Sequence, residues 1–493
     1  MKKRQHRGRL VVPLAAALGV WLSATAPAGA AVEPLKPCRV AGIRNEVQCG
    51  VLQRALDPDR PEATRISVHY VVVPALARRK LPDPVFLLAG GPGQSAIALA
   101  PSVMALFSRL NNRRDIVFVD QRGTGRSAPL MCDDTRLRPM SEQADPQRQF
   151  SQVLRCRDQL KTLPHGDLRF YTTPLAMQDL DAVRQALGAE RINLVGGSYG
   201  TRAARDYARQ FPAAVRRSVI DGVAPPDMVL PASMSTDGQA AFDALLLACE
   251  AEPACAKAHP TLRADWAGLL ASLPTPVTVV HPLSGQPETL IFTRDMLLGW
   301  VRGPLYSPAV SAALPQAVGE AARGRFGALV GLGGLLSTRK GTELAMGMHF
   351  SVVCAEDAPR LAQATDVPGR DFGGEGAALY RRVCAEWPRG AVPPAFYELR
   401  TTDTPVLLLS GGIDPVTPPR HAARVAQRLG SNALHVVVPN AGHGVMGIGC
   451  MRDVIFRFID APEGKDALAV DTGCAKAVPR PPAFVPLTLE ATR

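Results

Sequence analysis

Ser198, Asp414 and His443 are the residues of this chain whose types and settings could together do chemistry. Ser198 lies in Ile192-Asn193-Leu194-Val195-Gly196-Gly197-Ser198-Tyr199-Gly200-Thr201, an apolar run that enters Gly-x-Ser-x-Gly and continues into a helix-forming stretch. A serine on such a strand-to-helix turn presents its hydroxyl beyond the sheet, with a helix N-terminus behind it. Glycine at 196 and 200 leaves room for close backbone approach on either side. A hydroxyl is a weak nucleophile at neutral pH. It needs a base, and the base needs an orienting carboxylate. Asp414, in Gly411-Gly412-Ile413-Asp414-Pro415, follows the apolar run 405–410, and His443, in Asn440-Ala441-Gly442-His443-Gly444, follows the run 434–438. Both therefore fall at the C-terminal ends of expected strands, the edge where ligands bind in open α/β sheets. The order Ser, Asp, His is the one such sheets use for acyl transfer. His421 lies in the helix after Asp414, His435 begins a strand, and Asp403 precedes its strand rather than following it. Each is worse placed.

Acyl transfer also needs donors for the developing oxyanion. The N–H of Tyr199, next after the serine, is one. The run 85–88 ends in Ala89-Gly90-Gly91-Pro92-Gly93-Gln94-Ser95, and the Gly91 N–H is the expected second. One such donor typically contributes roughly 3–4 kcal/mol of transition-state stabilisation. Asp120-Gln121-Arg122-Gly123-Thr124-Gly125-Arg126-Ser127 follows the run 116–119 and reads as scaffold, with Asp120 paired to Arg122 beneath the site. Ser351-Val352-Val353-Cys354-Ala355-Glu356-Asp357 carries two acids. They read either as carboxylates presented to a pocket or as a solvated acidic turn. Trp300 and Tyr306 are candidate lining residues.

The elements that must position these groups alternate. Ile66–Val73, Val85–Leu88 and Ile116–Val119 read as strands. The later runs are apolar throughout, as in parallel strands covered on both faces. Helical stretches such as 174–187 separate them, and the alternation predicts an α/β fold with a mostly parallel sheet and helices on both faces. From about 225 to 395 the pattern is mostly helical and broken by Pro and Gly, with brief strand-like pieces such as 276–280. The expected organisation is a leader over 1–30, the first part of the α/β core over 31–224, an inserted and mainly helical cap over 225–395, and the rest of the core over 396–493.

The first thirty residues have the form of an export signal. Lys2, Lys3, Arg4, Arg7 and Arg9 precede an apolar stretch from Leu10 to Leu22, and Ala28-Gly29-Ala30 supplies small residues at a cleavage point. The apolar stretch is too short to span a bilayer, and no cysteine follows the cleavage point to carry a lipid anchor. The expectation is export to the periplasm or the medium after cleavage near Ala30, with no stable membrane anchor. Part of the net charge of +12 sits in this segment. The remaining charge is scattered, with no basic stripe interleaved with aromatics, which argues against a nucleic-acid partner. Ten cysteines in an exported chain point to disulfides, and the lack of a Cys-x-x-Cys pair argues against zinc. Ten cysteines allow roughly nine hundred pairings, and spacing does not choose among them. The simplest set joins neighbours: 38–49, 132–156, 249–255, 354–384 and 450–474.

Taken together, Gly90-Gly91-Pro92-Gly93-x-Ser95, Asp120-Gln121-Arg122-Gly123-x-Gly125-x-Ser127 and Gly196-Gly197-Ser198-Tyr199-Gly200-Thr201 resemble the proline iminopeptidase family of serine peptidases. Cys354-Ala355-Glu356-Asp357, the Asp414 loop and the Gly442-His443-Gly444 turn resemble its secreted tripeptidyl-aminopeptidase branch. The resemblance covers most of residues 60–475. It implies an α/β-hydrolase fold with a helical cap, an acyl-enzyme mechanism that needs no metal or organic cofactor, and peptide substrates that enter by a free N-terminus. It also implies a cap glutamate that binds the substrate amine. Glu356 is the residue that carries over, with Asp357 beside it. One departure is Ala89, where many members of the family have His before Gly-Gly-Pro-Gly. Two other readings keep the same residues. A carboxylesterase or lipase would use the same triad without needing a substrate amine. A binding protein would keep the fold without catalysis, against which the intact Ser198, Asp414 and His443 argue.

Overall fold

Val85-Phe86-Leu87-Leu88 and Ile116-Val117-Phe118-Val119 are buried at every position, so neither strand has a face left for solvent. Such strands must be sandwiched between helices, and the computed structural model of the chain places them so. It describes residues 34–335, 343–463 and 465–485. The expected leader, residues 1–30, lies outside the described residues. The strands are β1 (Lys36–Cys38), β2 (Val47–Ala55), β3 (Arg65–Val73), β4 (Val85–Leu88), β5 (Ile116–Val119), β6 (Ile192–Gly197), β7 (Val215–Asp221), β8 (Thr275–Val280), β9 (Pro287–Phe292), β10 (Val406–Gly411) and β11 (Ala433–Val438). Nine of them form one sheet in the order β1-β2-β3-β5-β4-β6-β7-β10-β11. Pairings from β5 to β11 are parallel, and β1, β2 and β3 add on antiparallel. This is the α/β-hydrolase fold that the strand pattern and the resemblance imply. No strand was expected within residues 31–60. They instead supply β1 and β2, whose half-exposed, glycine-interrupted pattern is that of a sheet margin rather than a buried strand.

The two faces of the sheet carry separate apolar layers. One packs under the helices Ala96–Asn111 and Met451–Asp460, the other under Thr173–Ala186, Tyr199–Gln210 and Pro419–Leu429. Between β7 and β10 the described residues form nine α-helices and the β8/β9 hairpin, an antiparallel pair standing apart from the main sheet. Much of this stretch closes on a third apolar cluster of its own, centred on Phe242, Trp266, Phe292 and Leu297.

Five disulfides join Cys38–Cys49, Cys132–Cys156, Cys249–Cys255, Cys354–Cys384 and Cys450–Cys474, the neighbour pairing. Among the described residues no helix is long and apolar enough to cross a membrane.

One expected contact is replaced. Arg122 does not pair with Asp120. Its buried guanidinium reaches across to the helix Thr173–Ala186 and grips Asp179 with two hydrogen bonds, of 2.7 and 2.9 Å. It also donates to the carbonyls of Leu56 and Phe170. Two residues along the loop, Arg122 and Asp120 face different partners, and sequence proximity does not decide which. Arg122→Ala is expected to destabilise the protein by about 3–5 kcal/mol, because it leaves the buried Asp179 with only the more exposed Arg54. Urea unfolding with the disulfides intact measures this, and a loss below about 1 kcal/mol would show that the pair contributes little beyond its own desolvation.

Candidate active site

Ser198 follows β6 directly and adopts φ 55°, ψ −123°, on the positive-φ side that non-glycine residues seldom occupy. Such a conformation costs on the order of 1–3 kcal/mol and persists only when its surroundings fix it. Here the Ser198 amide donates to the Asp221 carbonyl at the end of β7, and the Thr201 amide and hydroxyl both donate to the Ser198 carbonyl. A Cβ on Gly196 would run into the Gly200 carbonyl, and one on Gly200 into the Leu88 carbonyl. The two glycines are therefore demanded by packing between β4, β6 and the helix that starts at Tyr199.

His443 and Asp414 come together from the loops after β11 and β10. His443 Nδ1 lies 2.8 Å from Asp414 Oδ2. That contact puts the proton on Nδ1 and leaves Nε2 as the acceptor. Asp414 is buried, and each of its oxygens is used: Oδ1 accepts the amides of Val416 and Thr417, and Oδ2 accepts the Thr417 hydroxyl as well as His443. Burial raises its pKa, but the His443 charge and hydrogen bond, with the two amides, outweigh this and hold the carboxyl below its ordinary value. For His443 burial acts downward, while the Asp414 charge and hydrogen bond and the Asp221 charge prevail and raise it. The His443 amide donates to the Tyr306 carbonyl at 2.9 Å, and the Tyr306 ring stands edge-on to the imidazole, 5.1 Å between centroids. Thr417, whose hydroxyl is also 3.1 Å from His443 Nδ1, was not singled out from the sequence. Its signal is the Asp-x-x-Thr spacing, in which an aspartate side chain accepts from the backbone two and three residues on.

The loop after β4 passes over the serine: a Cβ on Gly90 would sit 3.2 Å from Ser198 Cβ. Gly91 and Tyr199 line the same cavity as Ser198 and His443, and neither N–H donates to another described residue. Asp120 braces this loop instead of pairing with Arg122. It accepts the Ser95 hydroxyl at 2.6 Å and the amides of Ile97 and Arg126. At Ala89, where a histidine brace is absent, support comes from a distant residue. His349 Nδ1 lies 3.2 Å from the Pro92 carbonyl, and its Nε2 is 2.8 Å from the Tyr380 hydroxyl.

Glu356 and Asp357 do not form a solvated turn. They end the buried helix Met346–Glu356 and share one guanidinium. Arg202, on the helix behind Ser198, holds Asp357 with contacts of 2.9 and 3.1 Å and lies 3.4 Å from Glu356. Asp357 also accepts the Leu230 amide, and Glu356 the Thr173 amide. Asp357 and Arg202 line the cavity, whereas Glu356 lies behind them. Burial pushes Glu356 up to about 7, opposed by Arg202 and the Thr173 amide and reinforced by Asp357. Two carboxylates against one guanidinium leave a net negative charge when both are ionised.

The cavity that joins these groups measures about 480 Å3, and its apolar wall includes Leu99, Val103, Leu230, Met234 and Met446. Tyr306 lines it as expected. Trp300 does not: its ring packs on Phe292 in the core of the segment between β7 and β10. His421 is buried against Asp237, and His435 contacts Ser410 within the sheet. Among the described residues no group of three or more His, Cys, Asp or Glu could hold a metal ion.

A family described as alpha/beta hydrolase fold matches residues 83–291, and one described as TAP-like protein matches residues 372–474. The chain is similar to serine protease Hip1 of Mycobacterium tuberculosis (strain ATCC 25618 / H37Rv), 26% identical over 81% of this chain and 83% of that one. It is similar to a tripeptidyl aminopeptidase of Streptomyces coelicolor, 25% identical over 88% and 84%, and to carboxylesterase B of M. tuberculosis (strain CDC 1551 / Oshkosh), 28% identical over 78% of each. These matches bear out the resemblance read from the motifs.

In the Ser198→Ala protein the His443 imidazole is expected to titrate above 6.5, and in Ser198→Ala/Asp414→Asn below 6.5, since burial then dominates. NMR titration of the imidazole checks both. An unchanged midpoint in the double variant would mean that Asp414 does not act on this ring.

Proposed function

We propose that this chain, a serine hydrolase of the α/β-hydrolase fold and of the tripeptidyl-aminopeptidase type, is an exported aminopeptidase. It would release N-terminal residues or short peptides, of the proline-iminopeptidase or tripeptidyl kind, through an acyl-enzyme. The observation that carries the reading is one cavity holding Ser198 and the His443–Asp414 pair together with the Asp357–Arg202 pair, backed by Glu356. Export is supported by the five disulfides, which persist in oxidising compartments, and by the form of residues 1–30.

In this reading His443 Nε2 takes the Ser198 proton as Oγ attacks the scissile carbonyl. Asp414 fixes the tautomer and stabilises the imidazolium. The Gly91 and Tyr199 N–H groups receive the oxyanion. The imidazolium then protonates the leaving amine, and water, deprotonated by the same imidazole, releases the acyl group. Asp357 meets the substrate ammonium, with Glu356 supplying the excess negative charge behind it and Arg202 keeping both carboxylates in place.

A second reading, carboxylesterase action by the same triad, is favoured by the apolar wall of the cavity and by the esterase relative. Substrate panels separate the two. Fluorogenic aminoacyl and tripeptidyl amides, free and N-acetylated, are compared with aryl esters. Free-amine peptides are expected to be turned over, with loss on acetylation and a fall of roughly 10⁴-fold or more in Ser198→Ala. Ester turnover indifferent to the amine would favour the esterase. Asp357→Asn is expected to raise KM for free-amine peptides at least about tenfold while leaving acetylated substrates unaffected. An unchanged KM there and in Glu356→Gln would remove both residues from amine binding. The pH dependence should divide the same way. As pH falls through about 7, Glu356 gains a proton and the cluster loses its net charge, so KM for free amines rises. Protonation of His443 lowers kcat instead.

A further inference from the structure

The last residue of β7 touches two loops of the site, the turn of Ser198 and the turn that carries His443. Asp221 pairs with Gly197 on one side and Leu409 on the other, and its carbonyl accepts the Ser198 amide at 2.9 Å. Its carboxylate is 1% exposed and belongs to the cavity wall. Oδ2 accepts the amides of Val445 and Met446, two and three residues beyond His443, at 2.7 and 2.8 Å. Oδ1 has no hydrogen-bond partner among the described residues. The next residue, Gly222, takes φ 65° and brings the backbone so near that a Cβ would lie 3.2 Å from His443 Cε1 and 3.0 Å from Thr417 Oγ1.

A tie between β7 and the His443 turn needs only a neutral acceptor. Burying a carboxylate for that purpose, with one oxygen unsatisfied, is costly. The charge becomes useful when a cation forms beside it, and the one cation that forms here is the His443 imidazolium.

We infer that Asp221 is a positioning residue for the general base. It fixes the turn that carries His443 through the amides of Val445 and Met446, and its charge joins that of Asp414 in favouring the imidazolium. The inference rests on the Ser198–His443 reading above. As Ser198 Oγ bonds to the substrate carbonyl carbon, its proton moves to His443 Nε2. Asp221 takes no proton from the ring and touches no reacting atom. Two titrating groups act on Asp221, His443 and Asp414, and three charged groups act on His443: Asp414, Asp221 and Arg302, the last opposing the other two. Burial pushes Asp221 up to about 6, against the pull of the two amides and His443 and with the help of Asp414. At neutral pH it is therefore ionised.

Asp221→Asn keeps a carbonyl for the two amides and removes the charge. With a free-amine peptide amide as substrate, kcat is expected to fall roughly tenfold with KM changed less than about twofold. The acid limb of the kcat/KM profile should move on the order of one pH unit to lower pH, since the imidazolium is less favoured. Asp221→Glu, which returns the charge, should restore the limb. Asp221→Ser is the second neutral variant should the asparagine protein not fold. Thermal melting and labelling by a fluorophosphonate report folding and an intact Ser198 in each. An unmoved acid limb with unchanged kcat, or a loss confined to KM, in a folded neutral variant would overturn the inference and leave Asp221 as a tie alone. Failure of the underlying reading looks different: Ser198→Ala would keep its activity and the unmodified protein would resist the fluorophosphonate.

Discussion

A serine held at φ 55° is unstable in isolation, and the site depends on whatever holds it there. The hold is backbone to backbone. The Ser198 amide is tied to the Asp221 carbonyl of the neighbouring strand, and the Ser198 carbonyl is tied to Thr201 of the following helix. Apart from the Thr201 hydroxyl, the turn needs only strands in register and two glycines that let the β4 end and the helix approach. The parallel pairings β4/β6, β6/β7, β7/β10 and β10/β11 then bring the Ser198, Asp414 and His443 loops to one edge. The loop after β4 and Asp221 reach the same edge for the same reason. Pre-organisation here is a property of the sheet, and the side chains inherit it.

What was legible in the sequence follows from that. Ser198, Asp414 and His443 could be read because each sits just past an apolar run, and in a parallel sheet that position alone determines where a residue ends up. The neighbour pairing of cysteines matched because each pair sits within or beside elements that pack locally. Partner choice over long separations was not legible. Arg122 lies two residues from Asp120 and yet takes Asp179, because the loop turns their side chains apart. Trp300 has the chemistry of a pocket residue but sits on the apolar side of its helix, where Phe292 covers it. Glu356 and Asp357 read as a possible acidic turn because nothing near them in sequence reveals Arg202, which comes from the helix behind the serine. Thr417 and Asp221 were missed since their importance lies in hydrogen bonds made after the loops have met.

The Arg202 cluster shows how the far end of the cavity can remain charged while buried. Removing one guanidinium and two carboxylates from water is expensive unless their remaining hydrogen-bonding capacity is met. Here the Thr173 and Leu230 amides and the Met228 carbonyl meet part of it, and Asp357 and Arg202 line the cavity. The balance is uneven by one negative charge when both carboxylates are ionised, and Glu356 is raised chiefly by its burial, with Asp357 adding to it. A ligand bearing one positive charge would complete the cluster.

β7 and β10 are hydrogen-bonded neighbours, so the long excursion between them leaves the sheet and returns to it at adjacent points. Its ends are already side by side before any of it folds. The entropy of closing such a loop rises only slowly with its length. Much of the excursion closes on an apolar cluster of its own, while Tyr306, His349, Glu356 and Asp357 tie its other parts to the site. Residues of the excursion that meet only this cluster are thus free to vary in ways that Tyr306, His349, Glu356 and Asp357 are not.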